Sequence, residues 1–309
     1  MKRILITDKV HPLLVGGLED AGYDVTYEPR MPYAEVQHSA RQFDGLIINS
    51  KVICNRDFLD SQRHLDFIGR LGSGLDIIDL PYSKEVGIEI ISSPEGNANA
   101  VGEHTLGMLL SVMCNLNRSF EDLQRHEWNR EPHRGEELHG KTIGIVGYGH
   151  TGPAFAKKLE GFEVDILVYD KYRTGFVGVK EANLNDLLLQ SDIVSIHLPL
   201  TAETDGMVDH DFLSKCKKGS ILINTSRGNI VNSESLLSHL VNGHIGGACL
   251  DVLENEKPST WNDQERKIYD ALLCQPNVII TPHIAGWTHQ SLERIASILL
   301  GKILAFYAD

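Results

Sequence analysis

The sequence predicts an α/β protein with two doubly wound parallel-sheet domains. Short apolar runs alternate with amphipathic helical stretches along the 309 residues, as is typical of parallel strands covered by helices on both faces. One such alternating series precedes a long helical stretch and a second follows it. The length of the sequence suits two domains. The last helical stretch, residues 291–307, is expected to fold back onto the first half. We therefore predict a discontinuous first domain, residues 1–98 and 284–309, and a second domain of residues 99–283.

Five strands are predicted in the first half of the chain, each ending at a polar or glycine-rich loop. They lie at residues 3–6, 23–27, 45–48, 65–70 and 88–91, and a helix over residues 11–21 ends at Gly22. Ligands of parallel sheets bind beyond the carboxyl ends of the strands. The loops at residues 49–51, 70–76 and 94–99 are therefore candidate binding segments.

A long helical pattern separates the two halves. Apolar side chains recur every three or four residues from Val101 to Trp128. The pattern fits one long helix that links two domains or forms a subunit interface. It fits equally two consecutive core helices with a break near residues 115–117. The polar stretch at residues 128–138 is predicted to be a loop.

The second half repeats the alternation of strands and helices. Strands are predicted at residues 141–146, 164–169, 192–196, 220–223, 247–250 and 277–280. Helices are predicted at residues 153–159, 184–190, 211–216 and 233–242. This is the element order of a complete doubly wound domain.

The first of these strands runs into a glycine-rich turn, Gly147-Tyr148-Gly149-His150-Thr151-Gly152. Gly147 permits a tight turn, Gly149 lets a pyrophosphate approach the backbone, and Gly152 lets helix and strand pack closely. The amides and dipole of the following helix N-terminus favour phosphate. An ordinary tight strand–helix turn is the alternative. Because strand, turn, helix and strand occur in this order, we predict a Rossmann-like dinucleotide site.

Asp170 bears on which dinucleotide is bound. It ends the next strand, near the spacing of about 20 residues at which an acid reaches the adenosine ribose. A carboxylate there accepts hydrogen bonds from ribose hydroxyls and repels a 2′-phosphate. Lys171 and Arg173 weaken that repulsion slightly. The expected cofactor is NAD rather than NADP.

Composition excludes several function classes. The net charge of −13 disfavours nucleic acid or an anionic membrane as the main partner, although a local basic pocket remains compatible with a small anion. The five cysteines are scattered with no CxxC pair, which favours buried, reduced thiols, and we expect no metal site. No signal peptide or membrane span is expected from the sequence, so the expected location is cytoplasmic.

Three residues at or just past predicted strand ends suit acid–base chemistry: Arg227, Glu256 and His283. A guanidinium binds a carboxylate bidentately. A histidine suits a general acid and base, and a neighbouring carboxylate orients the imidazole and raises its pKa. A strand-end arginine is more often a salt-bridged surface group. Beside a bound nicotinamide, however, the three together suit hydride transfer to or from a hydroxy acid.

The sequence resembles the D-isomer-specific 2-hydroxyacid dehydrogenases, most closely the D-3-phosphoglycerate dehydrogenase branch. The resemblance covers nearly the whole chain in ordered blocks. These are residues 72–79, residues 94–97 with 100–105, residues 147–152, residues 197–201, residues 224–228, and residues 251–256 with 282–286. It implies two Rossmann-like domains, the substrate domain being discontinuous, and a homodimer formed through the cofactor domain. The sequence has no room for the C-terminal regulatory domains of some members, so we expect no inhibition by serine.

The resemblance also implies residue roles. His283 exchanges the proton of the 2-hydroxyl, Glu256 holds the imidazole, and Arg227 binds the carboxylate and the reacting oxygen. The amides of Ser73 and Gly74 bind the substrate carboxylate. Asp251 lies near the nicotinamide carboxamide, and His197 is either part of the cofactor-lining loop or a structural histidine. The other positions implied to contact the cofactor are Thr105, His150, Thr151, Pro199, Thr204 and Thr225.

The substrate implied first is 3-phospho-D-glycerate, as in serine biosynthesis. Lys51 and Arg70 stand where the resemblance places contacts to the phosphate. Asn49 departs from the pattern because the branch usually has an arginine there, and Lys257 replaces a usual proline. A glyoxylate or hydroxypyruvate reductase is the alternative within the family. An NAD-sensing binding protein resembling the C-terminal-binding corepressors is the alternative outside enzymes.

Overall fold

The computed structural model describes residues 1–308, which contain two sheets. All paired strands in both sheets run parallel. The predicted fold class is therefore confirmed. The strands are β1 (Arg3–Ile6), β2 (Asp24–Tyr27), β3 (Gly45–Ile48), β4 (Phe67–Arg70), β5 (Glu89–Ser92), β6 (Thr142–Val146), β7 (Asp165–Tyr169), β8 (Lys180–Glu181), β9 (Ile193–Ile196), β10 (Ser220–Asn224), β11 (Ile245–Leu250) and β12 (Val278–Ile280).

Helices connect most of these strands. They are α1 (Pro12–Asp20), α2 (Tyr33–Ser39), α3 (Arg56–Ser61), α4 (Leu80–Glu85), α5 (Glu95–Met113), α6 (Leu116–Gln124), α7 (Thr151–Lys158), α8 (Leu184–Gln190), α9 (His210–Lys215), α10 (Ser233–Val241), α11 (Asp263–Leu273) and α12 (His289–Ala308). The sequence did not predict α2, α3, α4, α11 or β8. Three of these helices begin at side-chain caps, Asn55, Asp79 and Asn262, which stabilise short or polar helices that lack a strong apolar period.

The chain divides into two compact units. Unit 1 comprises Met1–Ala98 and the segment that begins at Trp287, and unit 2 comprises Asn99–Gly286. The sequence placed the return to the first unit after His283, whereas in the structure it follows Gly286.

Unit 1 contains a five-stranded sheet in the order β2-β1-β3-β4-β5. Alternate side chains of its strands belong to different apolar clusters, as Leu5 and Ile4 illustrate. Both faces of the sheet are therefore covered, as parallel sheets require. Helix α12 supplies Ala296, Leu299 and Ile303 to one cluster, so the end of the chain completes this unit. The order changes direction between β1 and β3, the kind of position at which doubly wound sheets bind ligands.

Unit 2 contains a seven-stranded sheet in the order β12-β11-β10-β9-β6-β7-β8. Its faces are also covered separately, because Leu222 and Ile223 on β10 belong to different apolar clusters. The chain starts at the centre with β6 and later returns to pair β9 on the other side of it. The switch point between β6 and β9 is where doubly wound sheets bind ligands.

The long helical pattern is two helices rather than one. α5 and α6 are separated at Asn115, whose φ of 52° and ψ of 36° interrupt the helix. The alternative with a break is thus confirmed, but α6 is not a core helix because it contributes no buried residue. Its apolar residues Leu116, Phe120 and Leu123 are exposed.

The cysteines form no disulfide within residues 1–308. Cys54, Cys216 and Cys249 are buried, but Cys114 and Cys274 are exposed, so the expectation of buried thiols is wrong for two of the five. Burial raises the pKa of the Cys54 and Cys216 thiols to about 12. Across the same residues, no helix combines the length and apolarity that a membrane span needs.

Candidate active site

The glycine-rich turn has the geometry expected of a dinucleotide cradle. Gly147 has a φ of +93°, and a Cβ there would lie 2.3 Å from the carbonyl oxygen of His197. A Cβ on Gly152 would lie 2.4 Å from the carbonyl oxygen of Gly147. A Cβ on Gly149, in contrast, would meet nothing within 4 Å. Two glycines are therefore required by packing, and Gly149 leaves exposed backbone that a pyrophosphate can approach.

Helix α7 begins directly after this turn. The N-cap residue that precedes it, His150, makes no capping hydrogen bond through its side chain. The first-turn amides are thus left without the side-chain oxygen that usually caps a helix. Together with the open face at Gly149, this arrangement fits the pyrophosphate of NAD.

Asp170 joins the glycine turn to the end of β7. Its Oδ2 accepts from the amide of Tyr148 at 2.9 Å, and its Oδ1 accepts from the amides of Tyr172 and Arg173 at 3.0 and 3.1 Å. The carboxylate is consequently fixed beside the turn. Oδ1 thus accepts two hydrogen bonds, whereas Oδ2 accepts one and retains acceptor capacity for a ribose hydroxyl.

His197 lies directly beyond the carboxyl end of β9, buried behind the turn. Its Nε2 is 2.8 Å from Ser195 Oγ and its Nδ1 is 3.1 Å from Thr151 Oγ1. Burial lowers the pKa of His197 to about 3, so the ring is neutral near pH 7. These contacts link His197 to Thr151 at the start of α7.

The remaining predicted cofactor residues mainly shape loops. The hydroxyl of Thr204 donates to the carbonyl of Pro199 at 2.6 Å and accepts from the amide of Thr201. Thr105 is fully buried; its hydroxyl donates to the carbonyl of Val101 at 2.7 Å and lies 3.3 Å from Thr225 Oγ1. In this structure Thr105 therefore packs the helix against the strand ends rather than exposing its hydroxyl.

The structure brings Glu256 and His283 together. His283 Nδ1 lies 3.0 and 2.9 Å from the two carboxylate oxygens of Glu256, so Nδ1 carries a proton and donates it. The hydrogen bond to Glu256 raises the pKa of His283 against the opposing effect of burial, and the charge of Arg227 lowers it. Nε2 makes no hydrogen bond to the part of the chain that the structure describes, which leaves that nitrogen for a substrate.

Asp251 organises the turn that carries His283. Its Oδ1 accepts from the amide of Ile284 and its Oδ2 from the amide of Ala285, both at 2.8 Å, and Thr281 Oγ1 lies 2.5 Å from Oδ1. The Asp251 side chain is only 1% exposed. The Asp251 carboxylate is thus buried, and both of its oxygens accept hydrogen bonds from the protein.

Arg227 follows β10 in a tightly packed bend. The side-chain Nδ2 of Asn224 donates to the Arg227 carbonyl at 2.9 Å, and Arg227 Nη1 donates to the Ser226 carbonyl at 2.8 Å. A Cβ on Gly228 would lie 1.9 Å from the carbonyl oxygen of Leu253, so the bend has no room for a larger residue there. Arg227 is thereby held close enough to His283 for its charge to act on the imidazole.

In unit 1, the predicted substrate residues lie at the strand ends beyond β3 and β4. Lys51 Nζ donates to the carbonyls of Thr7 and Pro29, and Arg70 Nη1 donates to Asn49 Oδ1 at 2.7 Å. The amides of Ser73 and Gly74 donate no hydrogen bond within residues 1–308. Two adjacent unused amides are suited to an anionic oxygen, whereas Lys51 and Arg70 are already bound to protein oxygens.

Comparison with known proteins identifies the family. Residues 106–285 match the model for the NAD-binding domain of the D-isomer-specific 2-hydroxyacid dehydrogenases. The chain belongs to this family. Residues 106–285 thus form its NAD-binding domain, in agreement with the cradle at residues 147–152.

The similar proteins carry names that refer to different substrates. The chain is 33% identical over 263 residues to a Thermotoga maritima hydroxypyruvate reductase, covering 85% of this chain and 84% of that one. It is 32% identical over 310 residues to the Bacillus subtilis D-3-phosphoglycerate dehydrogenase, covering 99% of this chain but only 57% of the relative. A D-lactate dehydrogenase from Aquifex aeolicus, solved with NAD and lactic acid, superposes with a TM-score of 0.87 at 28% identity, covering 99% and 95%.

One residue in this site was not singled out from the sequence. His104 on α5 places its Nε2 3.0 Å from Thr281 Oγ1 and 3.6 Å from Asp251 Oδ1. It stands within the block at residues 100–105 that carries the resemblance. Only its distance in sequence from Thr281 concealed the contact.

Proposed function

We propose that the protein is an NAD-dependent dehydrogenase of D-2-hydroxy acids. The observation that carries this proposal is the contact between His283 and Glu256 in the unit whose sheet also carries the glycine cradle. A histidine held by a carboxylate through Nδ1 presents Nε2 as a proton acceptor or donor. That is the acid–base group which interconversion of a hydroxyl and a carbonyl requires.

The residues of the chain have the following roles in this proposal. Bound NAD supplies the hydride acceptor for C2 of the substrate. His283 Nε2 takes the proton of the 2-hydroxyl during oxidation and returns it to the carbonyl oxygen during reduction. Glu256 fixes the ring orientation and favours the imidazolium. Arg227 binds the carboxylate and the reacting oxygen, and the amides of Ser73 and Gly74 bind a carboxylate oxygen.

The cofactor preference and the substrate follow from different parts of the chain. Asp170 is held where its charge repels a 2′-phosphate, which supports NAD over NADP. The resemblance assigns Lys51 and Arg70 to phosphate contacts, which makes 3-phospho-D-glycerate the first substrate candidate. The hydrogen bond from Arg70 to Asn49 favours a second candidate, hydroxypyruvate or glyoxylate, because it engages one guanidinium nitrogen with a neutral acceptor.

We also propose a homodimer in a reducing compartment such as the cytoplasm. The exposed apolar residues Leu116, Phe120 and Leu123 of α6, followed by Trp128 at 81% exposure, suit a protein interface. Light scattering at several concentrations tests this, and a mass of one chain throughout would exclude the dimer.

A substrate panel followed by NADH absorbance tests the proposed reaction. The panel contains 3-phosphoglycerate, D-glycerate, D-lactate, hydroxypyruvate, glyoxylate and 2-oxoglutarate, each with NAD(H) and NADP(H). We expect turnover of at least one acid, and loss of several orders of magnitude in rate in His283→Ala with NADH binding retained. Absence of turnover with every acid, or an active His283→Ala, would contradict the proposal.

A further inference from the structure

A hydrogen-bond chain of three polar side chains lies behind the turn that carries His283. It runs from His104 on α5 through Thr281 after β12 to Asp251 after β11. His104 Nε2 is 3.0 Å from Thr281 Oγ1, and Thr281 Oγ1 is 2.5 Å from Asp251 Oδ1. The His104 side chain is 22% exposed and that of Asp251 is 1% exposed. The hydrogen-bond chain is therefore largely shielded from water.

The donor and the acceptor of each contact in this hydrogen-bond chain can be assigned by counting the available protons and lone pairs. Asp251 accepts from two backbone amides and lies beside the Thr281 hydroxyl, a pattern that an ionised carboxylate satisfies. The single hydroxyl proton of Thr281 then points to Asp251. The oxygen of that hydroxyl must accept from His104, so Nε2 of His104 carries a proton. The hydrogen bonds all point in one direction, from His104 to Asp251.

The backbone of the turn that carries His283 shows what this hydrogen-bond chain stabilises. His283 has a φ of +55°, a left-handed conformation that is uncommon for residues other than glycine and costs free energy. Its amide donates to the Asp251 carbonyl at 2.8 Å, and the next two amides donate to the Asp251 carboxylate. Rotation of Asp251 would therefore release the turn, and Thr281 and His104 oppose that rotation.

We propose that His104 is a positioning residue for the reaction: through Thr281 it orients Asp251, and Asp251 in turn fixes the strained turn that presents His283. His104 acts at a distance, because its contacts are to Thr281 and Asp251 and not to the His283 ring. The roles of His283 rest on the proposed function, but the hydrogen-bond chain behind it does not.

A double-mutant cycle tests whether His104 acts through Thr281. Thr281→Val removes the hydroxyl with little change in shape, and His104→Leu removes the donor. Each variant is expected to lower kcat about fivefold to tenfold while KM stays within about twofold, the size of one hydrogen bond. The double variant should be no slower than Thr281→Val alone. Effects that multiply in the double variant would overturn the proposal.

Conservative variants and a matched control separate positioning from general stability. Gln places an amide donor close to the position of Nε2, so His104→Gln should recover most of the lost kcat, and Thr281→Ser should do the same. The control is His139→Leu, an exposed histidine in unit 2 that pairs with Glu163. It should leave kcat and KM unchanged. Equal kcat losses in His104→Gln and His104→Leu would contradict the proposal.

A titration of His283 followed by NMR provides a readout without substrate, with its signal assigned from His283→Ala. Glu256, Arg227 and Asp251 are the charged groups that act on this imidazole. Loosening the turn in Thr281→Val or His104→Leu should lower the pKa of His283 toward its ordinary value of about 6.5. An unchanged titration in both variants would overturn the proposal. If the wild type turns over no acid, the proposed function fails, while this titration still decides the role of His104.

Discussion

An added methyl group should lower stability at one glycine of the turn, Gly147, and NADH affinity at another, Gly149. At Gly147 a Cβ would lie 2.3 Å from the His197 carbonyl oxygen, and the φ of +93° suits glycine alone. At Gly149 the same methyl would meet no protein atom within 4 Å. Gly147→Ala therefore tests a packing requirement, and Gly149→Ala tests the space reserved for a ligand.

The expected size of each effect follows from this geometry. The left-handed backbone costs alanine about 1–2 kcal/mol, and relief of the overlap costs about 1–3 kcal/mol more. Gly147→Ala should thus lower the Tm by roughly 4–20 °C, at about 2–4 °C per kcal/mol for a domain of 150–250 residues. Gly149→Ala should leave the Tm within about 2 °C. Because its methyl occupies the space over the backbone, it should weaken NADH binding at least about tenfold, or about 1.4 kcal/mol.

Thermal unfolding by calorimetry and NADH binding by fluorescence titration measure the two effects separately. The wild type should gain Tm on addition of NADH, and Gly149→Ala should lose most of that gain. Wild-type NADH affinity in Gly149→Ala would refute the assignment of this turn as the pyrophosphate site. A wild-type Tm in Gly147→Ala would refute the packing argument.

Three further predictions use other residues of the site. Glu256→Gln removes the charge that raises the pKa of His283. The pH dependences of kcat/KM for oxidation and for reduction should therefore both shift to lower pH, which stopped assays across pH would show. Asp170→Asn keeps an acceptor but removes the charge, and should raise the ratio of kcat/KM with NADP to that with NAD about tenfold. The pKa of His197 is depressed on folding, to about 3, so its contribution to stability is present above its unfolded pKa of about 6.5 and is lost as the pH falls. Urea unfolding of wild type and His197→Gln between pH 6 and 4 should differ in slope by about 1.4 kcal/mol per pH unit, and parallel pH dependences would contradict this.

The elements that could be predicted from the sequence are those with a strong local signal. The central strands β6, β9 and β10 are continuous apolar runs, which buried parallel strands require, and their bounds were close to the prediction. The short helices α2, α3 and α4 were missed, whereas α8 and α9, which have the same length of six or seven residues, were predicted, so helix length alone does not explain the omission. Side-chain caps at Asn55 and Asp79 were the available signal.

The break between α5 and α6 shows a different limit. Periodicity reports which residues share one side of a helix, and it continued from Val101 to Trp128. It cannot report what that side contacts. The apolar residues of α6 are exposed within the described chain, so their pattern marked a surface and not a core. The burial of Thr105 and Asp251 likewise depends on partners far away in sequence, which periodicity cannot report.

Two histidines illustrate why the chemistry of the site depends on tertiary contacts. His197 follows β9 and His283 follows β12, so both stand at the carboxyl edge of one sheet and local sequence does not separate them. His197 has neutral partners on both ring nitrogens, and burial lowers its pKa to about 3. His283 has a carboxylate on one nitrogen, a raised pKa and its other nitrogen available to a substrate. Only a ring that can change protonation near neutral pH can serve acid–base transfer. The environment, and not the position at a strand end, therefore assigns that task to His283.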